Sequence, residues 1–188
     1  MRTIHKILAA GALLLALVTS FAGCGAEEQE ALLPLEEAAS SYTLEQARKD
    51  GCVVIEDLRV TSGQEEWARF LQAIDAGEPA SVRLVNTYTH EDKPMNLYVF
   101  DLSFDGKDYT YRYFSEGDEH KNTYPYLMRF EETLPEVGLR HILYLLTDNK
   151  TLSYAEIVNF DYDENIHLME EMLGNWEYVY EHFYDYSS

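Results

Sequence analysis

Apolar residues recur at helical spacing in the first half of the chain and predict its main helix over residues 63–76. The predicted core face of this helix consists of Trp67, Phe70, Leu71 and Ile74. Ser62 followed by Glu65 is typical of a helix N-terminus, because the two side chains can cap backbone N–H groups reciprocally. Pro79 follows the last apolar position and favours an end to the helix there.

Alternating apolar and polar positions predict strands on both sides of this helix. A stretch rich in β-formers begins at Cys52 and extends to about Val60. Further strands are predicted over residues 81–89, 95–104, 107–114, 124–130 and 139–147. Asp105-Gly106 is typical of a tight hairpin turn. The short connections favour an antiparallel meander over a parallel sheet.

Helical patterns also flank the strands. Thr43 with Gln46 predicts a short helix over 43–50, and Ser153 with Glu156 predicts another near the C-terminus. A longer helical pattern follows, with apolar positions at Met169, Met172, Leu173, Trp176, Tyr180 and Phe183. The sequence therefore predicts an α+β fold, in which an antiparallel meander sheet of about five to six strands packs on one main helix, with C-terminal helices.

The N-terminus has a pattern of its own. Arg2 and Lys6 precede an uncharged apolar run over residues 7–18, which is too short for a helix that crosses ~30 Å of hydrocarbon. A positive end before such a run is typical of a secretory signal peptide. The residues Phe21-Ala22-Gly23-Cys24 that follow resemble the lipobox of bacterial lipoproteins. The resemblance implies cleavage before Cys24 and a diacylglyceryl group on its sulfur, whereas the alternative is an ordinary signal peptide cleaved nearby.

These features predict the domain organisation and the location. We expect residues 1–23 to be a lipoprotein signal peptide and Cys24 to anchor the chain on the outer face of the cytoplasmic membrane, since two acyl chains give stable binding. Residues 24–41 are rich in Glu and Ala, lack a long apolar stripe and predict a flexible tether. Residues 42–188 are long enough for a single α+β domain with a C-terminal helical extension.

Several motifs between residues 51 and 114 form a recognisable set. They are Gly51-Cys52-Val53-Val54, an aromatic-rich helix that ends near Gly77, Val82-Arg83-Leu84-Val85, Tyr88-Thr89-His90-Glu91, Pro94 and Asp101-Leu102-Ser103-Phe104-Asp105-Gly106-Lys107. Together they resemble a family of small secreted or lipid-anchored proteins of Gram-positive bacteria, domain of unknown function 4362. That family usually has Gly-Asp before the proline, where this chain has Asp92-Lys93. The resemblance implies an α+β domain in the cell envelope and no particular activity.

The charge of the chain narrows the range of partners. It contains 34 acidic and 14 basic residues, for a net charge of −20. Nucleic acid is excluded as a partner, because phosphate binding requires clustered Lys and Arg. The charge also opposes docking on anionic lipid, which leaves the acyl anchor as the link to the membrane. Cys52 is the one cysteine besides Cys24, and its apolar neighbours predict a buried, unreactive thiol.

Sequence motifs for catalysis or metal binding are absent, and we expect neither a cofactor nor a metal ion. The six histidines contain no His-x-x-x-His pair. Asp161 and Asp163 imitate the first ligands of a calcium loop, but the later positions of that loop do not fit. One predicted loop concentrates ionisable residues, namely Glu116, Asp118, Glu119 and His120. A solvated loop is the simpler interpretation of that cluster, and a weak cation site is the alternative.

Aromatic residues are in excess, with 15 tyrosines. Tyr109, Tyr111 and Tyr113 alternate along one predicted strand. Such a stripe either fills the core beneath the main helix or stacks on sugar rings. The candidate binding loop is a different segment and consists of Thr89, His90, Glu91, Asp92, Lys93 and Pro94. Binding residues concentrate on loops held by rigid scaffolds, although a plain hairpin connection would have the same composition.

These observations predict a non-catalytic binding module of the cell envelope, whose partner is an envelope protein or a cell-wall glycan. An envelope hydrolase with a carboxylate pair from distant positions is one alternative, and a weak divalent-cation binder is another. A concave pocket with two close carboxylates would favour the hydrolase, and a flat aromatic patch would favour the binding module.

Overall fold

The computed structural model of the chain describes residues 32–90, 93–94, 97–158 and 175–185. The helices in these ranges are α1 (Leu35–Ser41), α2 (Leu44–Lys49), α3 (Gln64–Asp75) and α4 (Tyr154–Val158). The strands are β1 (Val53–Glu56), β2 (Arg59–Ser62), β3 (Ala80–Thr87), β4 (Thr89–His90), β5 (Lys93–Pro94), β6 (Tyr98–Phe104), β7 (Tyr109–Ser115), β8 (Asp118–Tyr124), β9 (Tyr126–Leu134), β10 (Leu139–Thr147) and β11 (Trp176–Asp185). The predicted signal peptide, Cys24, Glu91, Asp92 and the calcium-loop-like residues lie outside the described ranges.

The larger sheet is mixed. Its strand order is β2-β1-β3-β6-β7-β8, and the neighbours β1 and β3 are parallel. From β3 through β6 and β7 to β8 the neighbours are antiparallel. The meander prediction is wrong for β1 and β3, which pair in parallel because the β1–β2 hairpin returns the chain to the end of the sheet where β1 begins before β3 starts.

The predicted strand 52–60 is in fact a hairpin. Asp57 and Leu58 turn the chain between β1 and β2 and have positive φ angles of 48° and 60°. Leucine rarely adopts such angles, so the local sequence gave no turn signal here. The hairpin places β2 at the edge of the sheet and leaves β1 in its interior.

The smaller sheet has the order β11-β10-β9 and is antiparallel throughout. Residues 176–185 were predicted to be helical from the spacing of Trp176, Tyr180 and Phe183, and this prediction is wrong. The segment forms β11, which pairs with β10 along its whole length. Its aromatic and β-branched residues suit a strand, and the apolar partner strand that selects this state is distant in sequence. Met169, Met172 and Leu173 lie outside the described residues.

The helix predicted over residues 63–76 forms as α3, but its N-terminus differs. Gly63 is the N-cap, with φ 79°, and no side chain caps the helix there, so the Ser62–Glu65 box does not form. A Cβ on Gly63 would lie 2.4 Å from the Cys52 carbonyl oxygen, so only glycine fits this position. Trp67 and Phe70 are buried, while Leu71 and Ile74 pack partly buried against the same core.

Two other predicted helix caps are confirmed. The Thr43 hydroxyl accepts a hydrogen bond from the Gln46 backbone N–H at 3.1 Å and begins α2. At α4 the Glu156 carboxylate accepts from the Ser153 backbone N–H at 2.8 Å. None of the described helices is long and apolar enough to cross a membrane.

Residues 35–41 belong to the folded domain and not to the predicted tether. They form α1, in which Leu35 and Ala38 are buried. With α2, this helix covers one face of the larger sheet over Cys52, Val54, Val85 and Val99. The apolar stripe on α1 is short and partly alanine, which is why composition alone indicated a flexible segment. Burial raises the pKa of the Cys52 thiol to about 11, in agreement with the predicted buried cysteine.

The main core occupies the other face of the larger sheet. It lies between this face, α3 and the smaller sheet, and Trp67 is at its centre. The Trp67 ring stacks on Tyr180 with centroids 4.7 Å apart and meets the edge of Tyr144 at 5.1 Å. Aromatic contacts therefore join α3 to the smaller sheet, and the same core includes residues of the larger sheet such as Leu84 and Phe100.

A buried ion pair ties α1 to the larger sheet. The side chain of Arg83 on β3 is 4% exposed and binds both carboxylate oxygens of Asp101 on β6, at 2.7 and 2.9 Å. Arg83 also donates to the Leu33 backbone carbonyl at 2.7 Å. The guanidinium thus fixes the chain immediately before α1 against the centre of the sheet.

Asp101→Ala should destabilise the protein by about 3–5 kcal/mol, because it leaves the Arg83 charge buried without its partner. The free energy of unfolding in urea, compared with wild type, is the measurement. Arg69→Ala is the control, since Arg69 pairs with Glu66 at 2.8 Å on the exposed side of α3 and should cost no more than about 1 kcal/mol. Equal losses in the two variants would contradict the assigned role of the buried pair.

Candidate functional site

A groove with a volume of about 430 Å³ opens where the ends of β3, β6 and β7 face β11. We call it the aromatic groove. Its aromatic and polar lining consists of Asn86, Tyr88, Tyr98, Phe100, Tyr111, Tyr113, Phe114, Glu177 and Tyr178. Aliphatic lining comes from Ala39, Leu97 and Val99. A concave site of this size, mostly apolar with a few polar groups, is typical of small-molecule binding.

Strand alternation supplies the aromatic rings. The tyrosine stripe on β7 points toward the main core, and the buried Tyr111 contacts Phe100 with ring centroids 5.0 Å apart. Tyr109 lies at the start of β7 and packs on Phe104 with ring centroids 4.7 Å apart, outside the groove. Tyr113 is half-buried and lines the groove. The predicted stripe is therefore divided between the core and the groove.

Two further tyrosines form the rim of the groove. Tyr88 follows β3 and is 40% exposed, and Tyr98 begins β6 and is 50% exposed. Their rings meet edge to face, with centroids 6.3 Å apart. These rings are among the largest apolar surfaces that the described part of the chain presents to solvent. Exposed rings beside a concave site offer a stacking surface to a ligand.

Asn86 and Glu177 are the described polar side chains, other than tyrosines, that line the groove. Asn86 lies opposite Tyr98 in the register of β3 and β6, and its Oδ1 is buried without a hydrogen-bond partner among the described residues. Glu177 enters from β11, where burial raises the pKa of its carboxyl. The groove therefore combines aromatic faces with an unsatisfied acceptor and a desolvated carboxyl.

The candidate binding loop borders this groove. It follows Tyr88 and precedes Leu97, and both of these residues line the groove. Its backbone forms the short antiparallel pair β4–β5. Thr89 is tied to the β1–β2 turn, since its N–H and hydroxyl donate to the Asp57 carboxylate at 2.6 and 2.8 Å. The role of residues 89–94 in binding stays a prediction.

The acidic segment predicted as a loop is mostly strand. Asp118, Glu119 and His120 belong to the exposed edge strand β8. Arg112 pairs with Glu119, and the His120 ring stacks on Tyr113 with centroids 4.7 Å apart. The described part of the chain contains no group of three His, Cys, Asp or Glu side chains that could hold a metal ion.

A second polar cluster lies beneath α4. His141 on β10 is 3% exposed, and its Nδ1 shares a hydrogen bond of 2.8 Å with the Tyr154 hydroxyl. Its Nε2 lies 3.0 Å from a Glu181 oxygen, and its ring stacks on Phe183 at 4.1 Å. The cluster lies between the smaller sheet and α4. Its contacts join these two elements, and this structural role explains why its polar groups are buried there.

Sequence reasoning identified part of the groove. It singled out the tyrosine stripe of β7 and the loop beside the rim. It missed Glu177, because residues 176–185 were predicted to be helical. It also missed Asn86, because an asparagine within a strand does not by itself indicate a binding residue. The run Trp-Glu-Tyr-Val-Tyr at 176–180 is rich in β-formers and could have indicated a strand with an inward-facing carboxyl.

Comparison of the chain with protein-family models, with curated proteins and with solved structures gave no match. The resemblance of residues 51–114 to domain of unknown function 4362 therefore stays a prediction.

Glu177→Gln should change the pH dependence of stability. Burial raises the pKa of Glu177 above its ordinary value of 4.5, so the folded state holds this proton more tightly than the unfolded chain does. Wild type therefore loses stability as pH rises from the ordinary pKa through the raised one, and the glutamine variant does not have this loss. The stability of the variant relative to wild type should be greater at about pH 8 than at about pH 4 in urea unfolding.

The matched control is Glu78→Gln, which removes one charge at an exposed position after α3. Because Glu78 is exposed, this variant reports how the loss of one surface charge by itself changes stability. A relative stability of Glu177→Gln that stays constant across this pH range would contradict the assignment of a desolvated carboxyl.

Proposed function

We propose that the chain is a lipid-anchored, extracytoplasmic binding module of the cell envelope, and that its aromatic groove binds a sugar ring of the cell-wall glycan. The observation that carries this proposal is the combination of Tyr88, Tyr98 and Tyr113 with Asn86 and Glu177 in one concave site. Sugar rings have apolar C–H faces and polar edges. Aromatic side chains match the faces, and the amide and carboxyl groups match the hydroxyl groups at the edges.

The size of the groove favours a glycan over an envelope protein. A volume of about 430 Å³ is in the range of small-ligand sites. Stable protein interfaces instead bury about 1,200–2,000 Å² of surface, which requires a much wider contact. The net charge of −20 disfavours strongly anionic polymers, so the proposed ligand is a neutral sugar.

The lining of the groove favours binding over hydrolysis. Glycoside hydrolysis commonly uses two carboxyl groups about 5–9.5 Å apart. Among the described lining residues, Glu177 is the one carboxylate. The groove therefore supports the binding module more directly than the hydrolase alternative, and the proposal assigns it no catalytic step.

The proposed location rests on the N-terminal pattern and on the position of α1. The apolar run and the Phe-Ala-Gly-Cys motif support a lipid anchor at Cys24. Since α1 begins at Leu35, the chain from the anchor to the domain extends at most about 40 Å. An anchored domain would stay close to the outer face of the membrane, where glycan strands of the cell wall are within its reach.

Cys24→Ser should release the protein from the membrane fraction or leave it as an unprocessed precursor. The reason is that the thiol is the proposed attachment point of the diacylglyceryl group. Fractionation of cells that express each form, followed by intact mass measurement, tests this expectation. Cys52→Ser is the control and should leave fractionation unchanged. A Cys24→Ser protein with wild-type mass and membrane association would contradict the anchor.

Tyr98→Ala should weaken binding to purified peptidoglycan by about 2- to 10-fold, because an aromatic stacking contact contributes about 0.5–1.5 kcal/mol. Cosedimentation of the detergent-solubilised full chain with insoluble peptidoglycan measures the change. Tyr126→Ala is the matched control, since Tyr126 is 37% exposed on β9 and does not line the groove. Equal sedimentation of wild type and both variants would contradict binding through the groove.

A further inference from the structure

We propose that Asn86 and Glu177 make the aromatic groove selective for N-acetylated sugars, because together they bind the acetamido group. This inference rests on the proposed binding of a sugar ring and names the substituent that the site recognises. An acetamido group carries an N–H donor, a carbonyl acceptor and a methyl group, and the groove has a counterpart for each of the three.

Asn86 provides the acceptor for the N–H group. Its Oδ1 is buried and has no hydrogen-bond partner among the described residues. The buried Glu131 Oε1 and His141 Nε2 differ in this respect, since each lies at ion-pair distance from another side chain. A buried acceptor that stays unpaired costs stability, and native proteins keep few of them. A ligand N–H would satisfy this one.

Glu177 provides the donor for the carbonyl group. It lines the groove from β11 together with Asn86 and Tyr111. It lies close enough to Tyr111 that its charge adds to burial in raising the pKa of that hydroxyl. Desolvation is the cause of its raised pKa, with no offsetting hydrogen bond or positive charge from the described residues. Burial favours the protonated carboxyl, which has an O–H to donate. A ligand carbonyl accepts this bond.

The neighbouring rings suit the methyl group. Phe100 and Tyr111 lie in contact at 5.0 Å and both line the groove, so they give an apolar wall beside the two polar groups. A free amino group in place of the acetamido group would lose the methyl contact and would leave Glu177 to act as an anion. The structure thus predicts an order of preference among otherwise similar sugars.

Three soluble tetrasaccharides test this order by calorimetric titration of the full chain in detergent. They are the β-1,4-linked tetramers of N-acetylglucosamine, of glucosamine and of glucose. The N-acetylglucosamine tetramer should bind at least about tenfold more tightly than the glucose tetramer, since loss of paired polar contacts leaves the groups of the site unsatisfied. At about 0.5 M salt, which screens the attraction between its ammonium groups and the acidic chain, the glucosamine tetramer should bind no better than the glucose tetramer.

Two substitutions assign the selectivity to the named residues. Asn86→Leu keeps a similar shape and removes an unpaired acceptor, so it should fold and lose the preference for the N-acetylated tetramer. Glu177→Gln keeps an N–H donor for the ligand carbonyl and should retain the preference, whereas Glu177→Leu should lose it. Thermal unfolding of each variant confirms that it is folded before binding is compared.

The outcomes separate this inference from the proposal on which it rests. Equal binding of the glucose and N-acetylglucosamine tetramers would overturn acetamido recognition while sugar binding stands. If the glucosamine tetramer binds most tightly and Glu177→Gln abolishes this preference, the site recognises an ammonium group and acetamido recognition is overturned. Absence of binding by all three tetramers, together with loss of peptidoglycan cosedimentation, would overturn both.

Discussion

The need to bury both faces of the larger sheet determines how the rest of the molecule is arranged. On β1 and β3, adjacent residues such as Val53 and Val54, or Leu84 and Val85, are fully buried although they point to opposite faces. One face is covered by α1 and α2, and the other by α3 and the smaller sheet. Because strands buried on both sides need two covers, neither the segment before residue 42 nor the C-terminal strand is dispensable for the core.

This arrangement buries the charged side chain of Arg83 near the middle of the larger sheet. It occupies a central strand within the face that α1 and α2 cover, where an unpaired charge would be very unfavourable. Asp101 on the adjacent strand and the Leu33 carbonyl satisfy the guanidinium from two directions. The ion pair therefore acts as a geometric constraint more than as a source of net stability, since it fixes α1 to one position on the sheet.

The aromatic groove lies at the place where this double covering ends. Its lining comes from the ends of three strands of the larger sheet, from the Ala39 side of α1 and from β11 of the smaller sheet. The arrangement leaves Tyr88 and Tyr98 exposed and Asn86 Oδ1 without a hydrogen-bond partner among the described residues. The buried side chains of Arg83 and His141 instead lie within hydrogen-bond or ion-pair distance of neighbouring side chains. The exposed rings and the unpaired acceptor lie together in the aromatic groove. This combination is the physical basis for the proposed site.

Local patterns in the sequence determined the features that depend on neighbouring residues. They predicted α3 with its buried Trp67 and Phe70, the caps at Thr43 and Ser153, the Asp105-Gly106 turn and β10, because helical spacing, capping and turn geometry act over a few residues. Tertiary structure decided the rest. The parallel pairing of β1 with β3, the strand state of residues 176–185 and the packing of α1 depend on partners far along the chain. The meeting of Asn86 and Glu177 in one groove depends on those same pairings, so no local pattern could reveal it.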